Sequence, residues 1–262
     1  MSRGHRVNLC MSAIKNRKII GKQEMHKASA FNFLRQFQRS LNSELPAVPS
    51  LRSNVREIVL SAKGADGAPY LRTPETAFLN TYAIPRLYKD LQLLCGLSQD
   101  QARAALLSEN FRHLGEMCSA SPARKERHPF EKRFPQDPAK ILARWRSGTA
   151  NSLHQSCPDF ALRSPCPYSI VFEGKYFESG SIAKAEAELV RNIYQAFFYR
   201  ALPTIEEINV RPAWDYEFAC LLACDASPEG LLKRAWDSLE PAVQEGFWSG
   251  ANLFVMIIRG DP

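Results

Sequence analysis

The stretch CPDFALRSPCPYSIVFEGKYF, residues 157–177, decides how the second half of the chain folds. Its last ten residues are mainly aromatic and β-branched, which is typical of a strand, and two prolines near its middle indicate a turn. The residues before the turn can therefore pair with the strand that follows it. The stretch predicts a hairpin with Asp159 on its first arm and with Glu173 and Lys175 on its second arm.

The sequence beyond this hairpin alternates between helical and strand-like patterns. Residues 181–202 and 228–239 have helical patterns, whereas residues 216–224 and 252–258 are apolar and strand-like. Strands that alternate with helices favour a layered architecture. We therefore predict an α/β fold with a central mixed sheet flanked by helices.

The sequence before the hairpin predicts a mainly helical region. Apolar residues recur at helical spacing over residues 28–45, and a second helical pattern begins at Pro74. Pro85 is expected to bend or split this second helix, and Gly96 to end it. A third helix is predicted over residues 100–117.

Composition restricts the class of protein. Of the 262 residues, 45% are hydrophobic and 23% are charged, which excludes a disordered chain, a collagen and a coiled coil. No apolar run approaches the ~20 residues of a membrane-spanning helix, and no signal-peptide pattern is present, so we expect a cytoplasmic protein. Seven cysteines occur without a CxxC pair, which predicts reduced packing thiols rather than a zinc site.

Basic residues are concentrated in two regions of a chain whose net charge is +7. The first 39 residues contain nine Lys or Arg against one acid, Glu24, and residues 119–147 contain eight against three. Such clusters suit a nucleic-acid backbone, because each neutralised phosphate releases a counterion. Two alternatives stay open. Both clusters could be solvated surface, and the first could be a transit peptide or reflect a true start at Met11 or Met25.

The charged residues of the hairpin suggest a chemistry. Glu173 and Lys175 are two apart in a strand, so their side chains project from the same face, and the turn returns Asp159 towards them. Two carboxylates, waters and a phosphate oxygen form the kind of site that Mg²⁺ prefers, and an adjacent ammonium suits phosphodiester hydrolysis. Acid–base chemistry without a metal and a surface ion pair between Glu173 and Lys175 are the alternatives.

This segment resembles the PD-(D/E)XK nuclease superfamily, which has the restriction-endonuclease-like fold, with Pro158, Asp159, Glu173 and Lys175 at the signature positions. The resemblance covers about residues 151–258. It implies that the signature lies on two neighbouring strands of a mixed sheet. It also implies Mg²⁺-dependent DNA cleavage, in which Asp159 and Glu173 bind Mg²⁺ (or Mn²⁺ as a substitute) and Lys175 assists the attacking water.

The helix after the signature adds one more match to this superfamily. Gln195 and Tyr199 resemble the QxxxY element of its RecB-like branch. They share a helix face with Glu188 and Arg191, so we expect Gln195, Tyr199 and Arg191 to face the DNA or the active site. Solvent exposure of this polar stripe is the alternative.

The superfamily often has a further acidic residue on a helix before the signature strands. Glu75, at a helix start, is our candidate for this catalytic position, and Glu109 and Glu116 compete with it. A first-turn acid that favours the helix dipole is the alternative explanation of Glu75.

Four regions follow from composition and resemblance together. Residues 1–27 are expected to be a basic, flexible segment, and residues 28–118 a helical region that is the place for DNA recognition. Residues 119–150 are expected to be a basic linker or arm. Residues 151–262 would form the nuclease core.

The predicted function is that of a metal-dependent deoxyribonuclease of the type II restriction kind, acting on double-stranded DNA. A homodimer is a natural way to cut both strands, and no membrane association is expected. A RecB-like repair, recombination or defence exonuclease is the first alternative. A nucleic-acid-binding protein without catalysis, whose carboxylates are structural, is the second.

Overall fold

A four-stranded mixed sheet is the centre of the fold in the computed structural model, which describes residues 3–61, 73–106, 159–201 and 216–261. For residues 3–20, 198, 199 and 201, only the backbone is described. The strands lie side by side in chain order. They are β1 (Phe160–Leu162), β2 (Ile170–Phe177), β3 (Phe218–Asp225) and β4 (Leu253–Ile258). β1 is antiparallel to β2, whereas β2, β3 and β4 are parallel.

Helices precede the sheet and connect its parallel strands. Those before it are α1 (Arg3–Glu44), α2 (Val48–Ser61), α3 (Pro74–Phe78), α4 (Ile84–Cys95) and α5 (Gln99–Ala105). Helix α6 (Ile182–Ala201) links β2 to β3, and α7 (Leu231–Asp237) and α8 (Pro241–Ala251) link β3 to β4. Parallel strands require such crossover connections. The predicted α/β fold, a mixed sheet flanked by helices, is thus confirmed at this level.

The two faces of the sheet are covered by different helices, because alternate strand residues point to opposite sides. On one face, Phe172 and Tyr176 of β2 pack in a core with side chains of α1 to α5. On the other face, Val171 and Phe177 pack with α6, α7 and α8. The amino-terminal helices are therefore one layer of the fold that also carries the hairpin.

Helix α1 begins far earlier than predicted. It starts at Arg3, not near residue 28, so the backbone of most of the segment predicted to be flexible is helical. Helix-breaking proline is absent before Pro46, which permits this length. Residues 21–25 are all exposed, so this part of the helix has no buried stripe and no apolar periodicity by which to recognise it.

Pro85 interrupts the second helical pattern as predicted. A π-helical turn, Leu79–Ala83, joins α3 to α4, and the Ile84 amide donates to the Leu79 carbonyl. Proline has no N–H and crowds the preceding turn, which accounts for a break at this point. Gly96 ends α4 in the left-handed conformation, with φ of 65°.

One other helix prediction is wrong, and one helix was not predicted. The helix predicted over residues 100–117 ends at Ala105, because Leu106 is extended and forms a β-bridge with Leu162 of β1. Helix α8 is missing from the sequence prediction. It has no fully buried residue, but Phe247 and Ala251, four residues apart, are partly buried against the core, so an apolar signal was present in the sequence.

Several predictions lie outside the described residues, namely those for Pro158, Glu109, Glu116 and the basic region 119–147. Within the described ranges, no helix combines the length and the apolar character needed to cross a lipid bilayer. Cys95, Cys166, Cys220 and Cys224 are all free thiols, as predicted for these four positions.

Candidate functional site

The predicted hairpin is present, and Asp159 lies directly before its first strand, β1. β1 and β2 pair with Phe160 opposite Phe172, and the Asp159 amide donates to the Phe172 carbonyl at 3.1 Å. The connection between the strands contains Pro165, as predicted. Asp159 therefore lies beside the Glu173–Gly174–Lys175 run of β2.

Beyond Phe172, the edge of β2 on the side of β1 has no partner among the described strands. Within the described strands, β1 pairs with β2 only as far as Phe172, so the next outward-pointing amides are those of Gly174 and Tyr176. The Gly174 amide donates to Oδ2 of Asp159 at 2.6 Å. The Tyr176 amide donates to the Glu75 carboxylate, which reaches this edge from α3. Carboxylates from two different elements thus converge on one strand edge.

Gly174 is required by close packing at this edge. A Cβ placed on Gly174 would lie 2.6 Å from Cδ1 of Leu79 and 3.1 Å from Oδ2 of Asp159. Leu79 is in the π-helical turn and is buried. The central residue of the Glu-Gly-Lys run therefore has to be small, so that the π-helical turn that follows α3 can approach β2.

Lys175 lies between two carboxylates from opposite layers. Its Nζ is 3.6 Å from Oε2 of Glu75 on α3 and 3.7 Å from Oε2 of Glu188 on α6. Glu173, two residues earlier, is 6% exposed. The structure thus places Glu75, the upstream acid chosen from the sequence, at the same site as Asp159 and Lys175.

Helix α6 contributes Glu188, which the sequence predicts only as part of a polar stripe. Glu188 accepts a hydrogen bond from Nη2 of Arg191 at 2.5 Å and contacts Lys175. Arg191, predicted to face DNA, is thereby placed at the site. The spacing of three residues between Glu188 and Arg191 on a predicted helix was the sequence signal for this ion pair.

Gln195 and Tyr199 lie farther along α6. Gln195 is partly buried, about one turn beyond Arg191. The side chain of Tyr199 is outside the described part of the structure. The contacts that α6 is described to make at the site are those of Glu188 and Arg191.

Burial and like charge make ionisation of the site's carboxylates costly. Burial, followed by the charge of Glu75, raises the pKa of Asp159 to about 7, although the Gly174 amide and Lys175 act in the opposite direction. Burial also raises the pKa of Glu75, and Lys175 opposes this. Three carboxylates face Lys175 and Arg191, so their full ionisation would leave negative charge in excess even before Glu173 is counted.

The residues present fit a weakly coordinated cation better than a preformed cage. Among the described side chains, no group of three or more His, Cys, Asp or Glu residues is arranged to hold a metal ion. Mg²⁺ commonly uses one or two carboxylates and completes its shell with water and phosphate oxygens. Asp159, buried beside another acid with a raised pKa, and the adjacent Glu173 have the donor chemistry for such a site.

Comparisons with known proteins do not assign the chain to a family. No known protein family, curated protein or solved structure matches it. The resemblance to the PD-(D/E)XK signature therefore stays a prediction from the sequence.

Proposed function

We propose that the protein is a Mg²⁺-dependent deoxyribonuclease that hydrolyses phosphodiester bonds of double-stranded DNA, of the PD-(D/E)XK kind. One observation carries this proposal. Glu75, Asp159 and Lys175 meet at the edge of β2 next to Glu173, where full ionisation of the carboxylates would leave negative charge in excess. A divalent cation would balance that excess, and Mn²⁺ is expected to substitute for Mg²⁺.

The restriction-endonuclease-like fold belongs to the same proposal. That fold places the signature on neighbouring strands of a mixed sheet with a helix next in the chain. The antiparallel pair β1–β2 followed by α6 and the parallel strand β3 is compatible with it. A cytoplasmic location is likewise proposed, as is a homodimer for cutting both strands.

Each residue then has a role in the reaction. Asp159 and Glu173 would hold the cation, and the Gly174 amide orients the Asp159 carboxylate. Bound there, the ion would lower the pKa of the attacking water and offset charge on the scissile phosphate and the leaving oxygen. Lys175 would orient the water or a phosphate oxygen by hydrogen bonding, and Glu75 anchors Lys175 against β2.

Basic residues support a polyanionic substrate. Nine Lys or Arg occur among the first 39 residues, and all nine belong to α1. Neutralising phosphates with these side chains would give salt-dependent binding that is independent of sequence. DNA is thus a better match to the charge distribution than a small neutral substrate.

The test is cleavage of supercoiled plasmid and of linear duplex with Mg²⁺, with Mn²⁺ or with EDTA. The wild type should nick or linearise circular DNA only with a divalent cation. Asp159→Ala and Lys175→Ala should each lower the rate by at least about 100-fold. The matched controls Asp237→Ala and Lys184→Ala alter exposed residues outside the site and should cleave normally.

Three outcomes would count against the proposal or redirect it. Full activity in Asp159→Ala or Lys175→Ala would reject the assigned site. Degradation of linear duplex from its ends, with circular DNA intact, would favour the RecB-like exonuclease. Tight DNA binding without nicking or calorimetric Mg²⁺ binding would favour the non-catalytic alternative.

A further inference from the structure

The ammonium of Lys175 is flanked by carboxylates on both sides. Glu75 approaches from the layer of amino-terminal helices, and Glu188 approaches from α6 on the opposite layer. A lysine side chain has four rotatable carbons and a point charge, so one partner restricts its position only weakly. Two partners on different helices restrict it more.

Glu188 is itself held in place. Its carboxylate accepts from Nη2 of Arg191 at 2.5 Å and from Nδ2 of Asn192 at 3.5 Å. Asn192 also donates to the Glu188 carbonyl at 2.6 Å and is only 2% exposed. Consequently, the Glu188 carboxylate is fixed to a helix that packs on the sheet through Leu189 and Ile193.

Partial burial strengthens this arrangement. The side chains of Lys175 and Glu188 retain 22% and 20% exposure, so their attraction is less screened than that of a surface pair. Glu186, two residues away on the same helix, is exposed and offers a comparison with the same chemistry.

We infer that Glu188 is a positioning residue that, together with Glu75, directs the Lys175 ammonium towards the Asp159–Glu173 edge of β2. Its importance for catalysis rests on the proposed nuclease function, whereas its effect on Lys175 does not. Without Glu188, Lys175 would keep its contact with the Glu75 carboxylate, but its ammonium would occupy a wider range of positions around that carboxylate. Lysine placement, not DNA affinity, is the property that Glu188 controls.

The first measurement needs no activity. Full-length wild type, Glu188→Gln and the control Glu186→Gln are treated with an acetylating N-hydroxysuccinimide ester, and acetylation of Lys175 is followed by mass spectrometry of peptides. Loss of the ion pair should raise the Lys175 acetylation rate by about threefold in Glu188→Gln, since partly exposed pairs are worth about that factor. Glu186→Gln should match the wild type.

A second variant keeps the test decisive if Glu188→Gln folds poorly. Glu188→Asp keeps the carboxylate charge but shortens the side chain by one methylene group, which draws the carboxylate away from Lys175. It should increase Lys175 acetylation by a smaller factor than Glu188→Gln. Circular dichroism verifies that each variant is folded.

Cleavage kinetics provide the second readout. Glu188→Gln should lower kcat by about tenfold and leave KM for DNA within about twofold, the pattern of an interaction that serves the transition state. Unchanged Lys175 acetylation in folded Glu188→Gln overturns the inference, as does unchanged kcat. Faster acetylation in a protein whose wild type cuts no DNA supports the placement of Lys175 by Glu188 and rejects the nuclease proposal separately.

Discussion

The amide of Gly174 donates a 2.6 Å hydrogen bond to the carboxylate of Asp159. This bond joins the residue between Glu173 and Lys175 to the acid at the end of the opposite arm of the hairpin. It also aligns Asp159 with the strand edge where Glu75 binds the Tyr176 amide. Gly174 is therefore a structural part of the site as well as the spacer between Glu173 and Lys175.

Gly174→Ala should destabilise the protein by about 1–3 kcal/mol, because overpacking a buried contact costs roughly this amount. The new methyl group would meet Leu79 at 2.6 Å and press on Asp159 at 3.1 Å. Urea unfolding followed by circular dichroism measures the loss. The double variant Gly174→Ala, Leu79→Ala should lose less than the sum of the two single variants, because the clash with Leu79 is gone.

Gly246→Ala is the matched control for this substitution. Gly246 lies within α8, and a Cβ there meets nothing within 4 Å. Alanine should be neutral or stabilise the helix by up to about 1 kcal/mol. Equal effects of alanine at positions 174 and 246 would contradict the packing described for Gly174.

Cys95 should be the most reactive of the four cysteines whose side chains the structure describes. A hydrogen bond from Cys166 lowers the pKa of Cys95, which is only partly buried. Burial raises the pKa of Cys220 and Cys224. Since the thiolate is the nucleophile, iodoacetamide at pH 7.5 should alkylate Cys95 first, as peptide mass spectrometry would show.

Substitution of Cys166 tests the cause of this reactivity. Cys166→Ala removes the hydrogen bond and should slow the alkylation of Cys95 severalfold. Cys220→Ala leaves that bond intact and should not change the Cys95 rate in folded protein. Alkylation of Cys224 as fast as that of Cys95 in the native state would disprove the ranking.

The sequence predicts the parts of this fold that have a local cause. Proline placement predicts the hairpin turn at Pro165 and the break at Pro85, and apolar strand patterns predict β2 to β4. Two-residue alternation predicts that Glu173 and Lys175 share a face. Glu75 could be proposed because a helix start after Pro74 is visible in the sequence.

The remaining features depend on tertiary contacts that leave no local pattern. The contact between Glu188 and Lys175 requires α6 to pack across β2 so that Glu188 lies level with Lys175. The end of α5 at Ala105 depends on the Arg163 amide, which donates to the Ala105 carbonyl from a distant part of the chain. The raised pKa of Asp159 likewise arises from burial and from Glu75, which are properties of the folded state only.

Asp159 should make the stability of the metal-free protein depend on pH. Its pKa is about 7 in the folded state, against about 3.9 in an unfolded chain. Between these values the folded state binds the proton and the unfolded state does not, so the free energy of unfolding falls as the pH rises from about 4 to 7. The stabilisation is complete below about pH 4 and is lost above about pH 7.

Asp159→Asn removes this titration. With EDTA present, the variant should gain about 3 kcal/mol relative to wild type between pH 5 and pH 8, because the wild type loses stability over about two pH units below its folded pKa and each unit corresponds to about 1.4 kcal/mol. Urea unfolding at several pH values measures the difference. Asp237→Asn alters an exposed carboxylate paired with Lys233 and should show no such trend.

At pH 8 a divalent cation should restore the stability that the protein loses when Asp159 ionises. A ligand that binds only the folded state stabilises it in proportion to the logarithm of its concentration, so Mg²⁺ should raise the Tm of the wild type. The Tm of Asp159→Asn should rise much less, because a neutral amide replaces one of the two carboxylates proposed to hold the ion. Equal Mg²⁺ stabilisation of both proteins would place the cation elsewhere, since Asp159 would then contribute nothing to its binding.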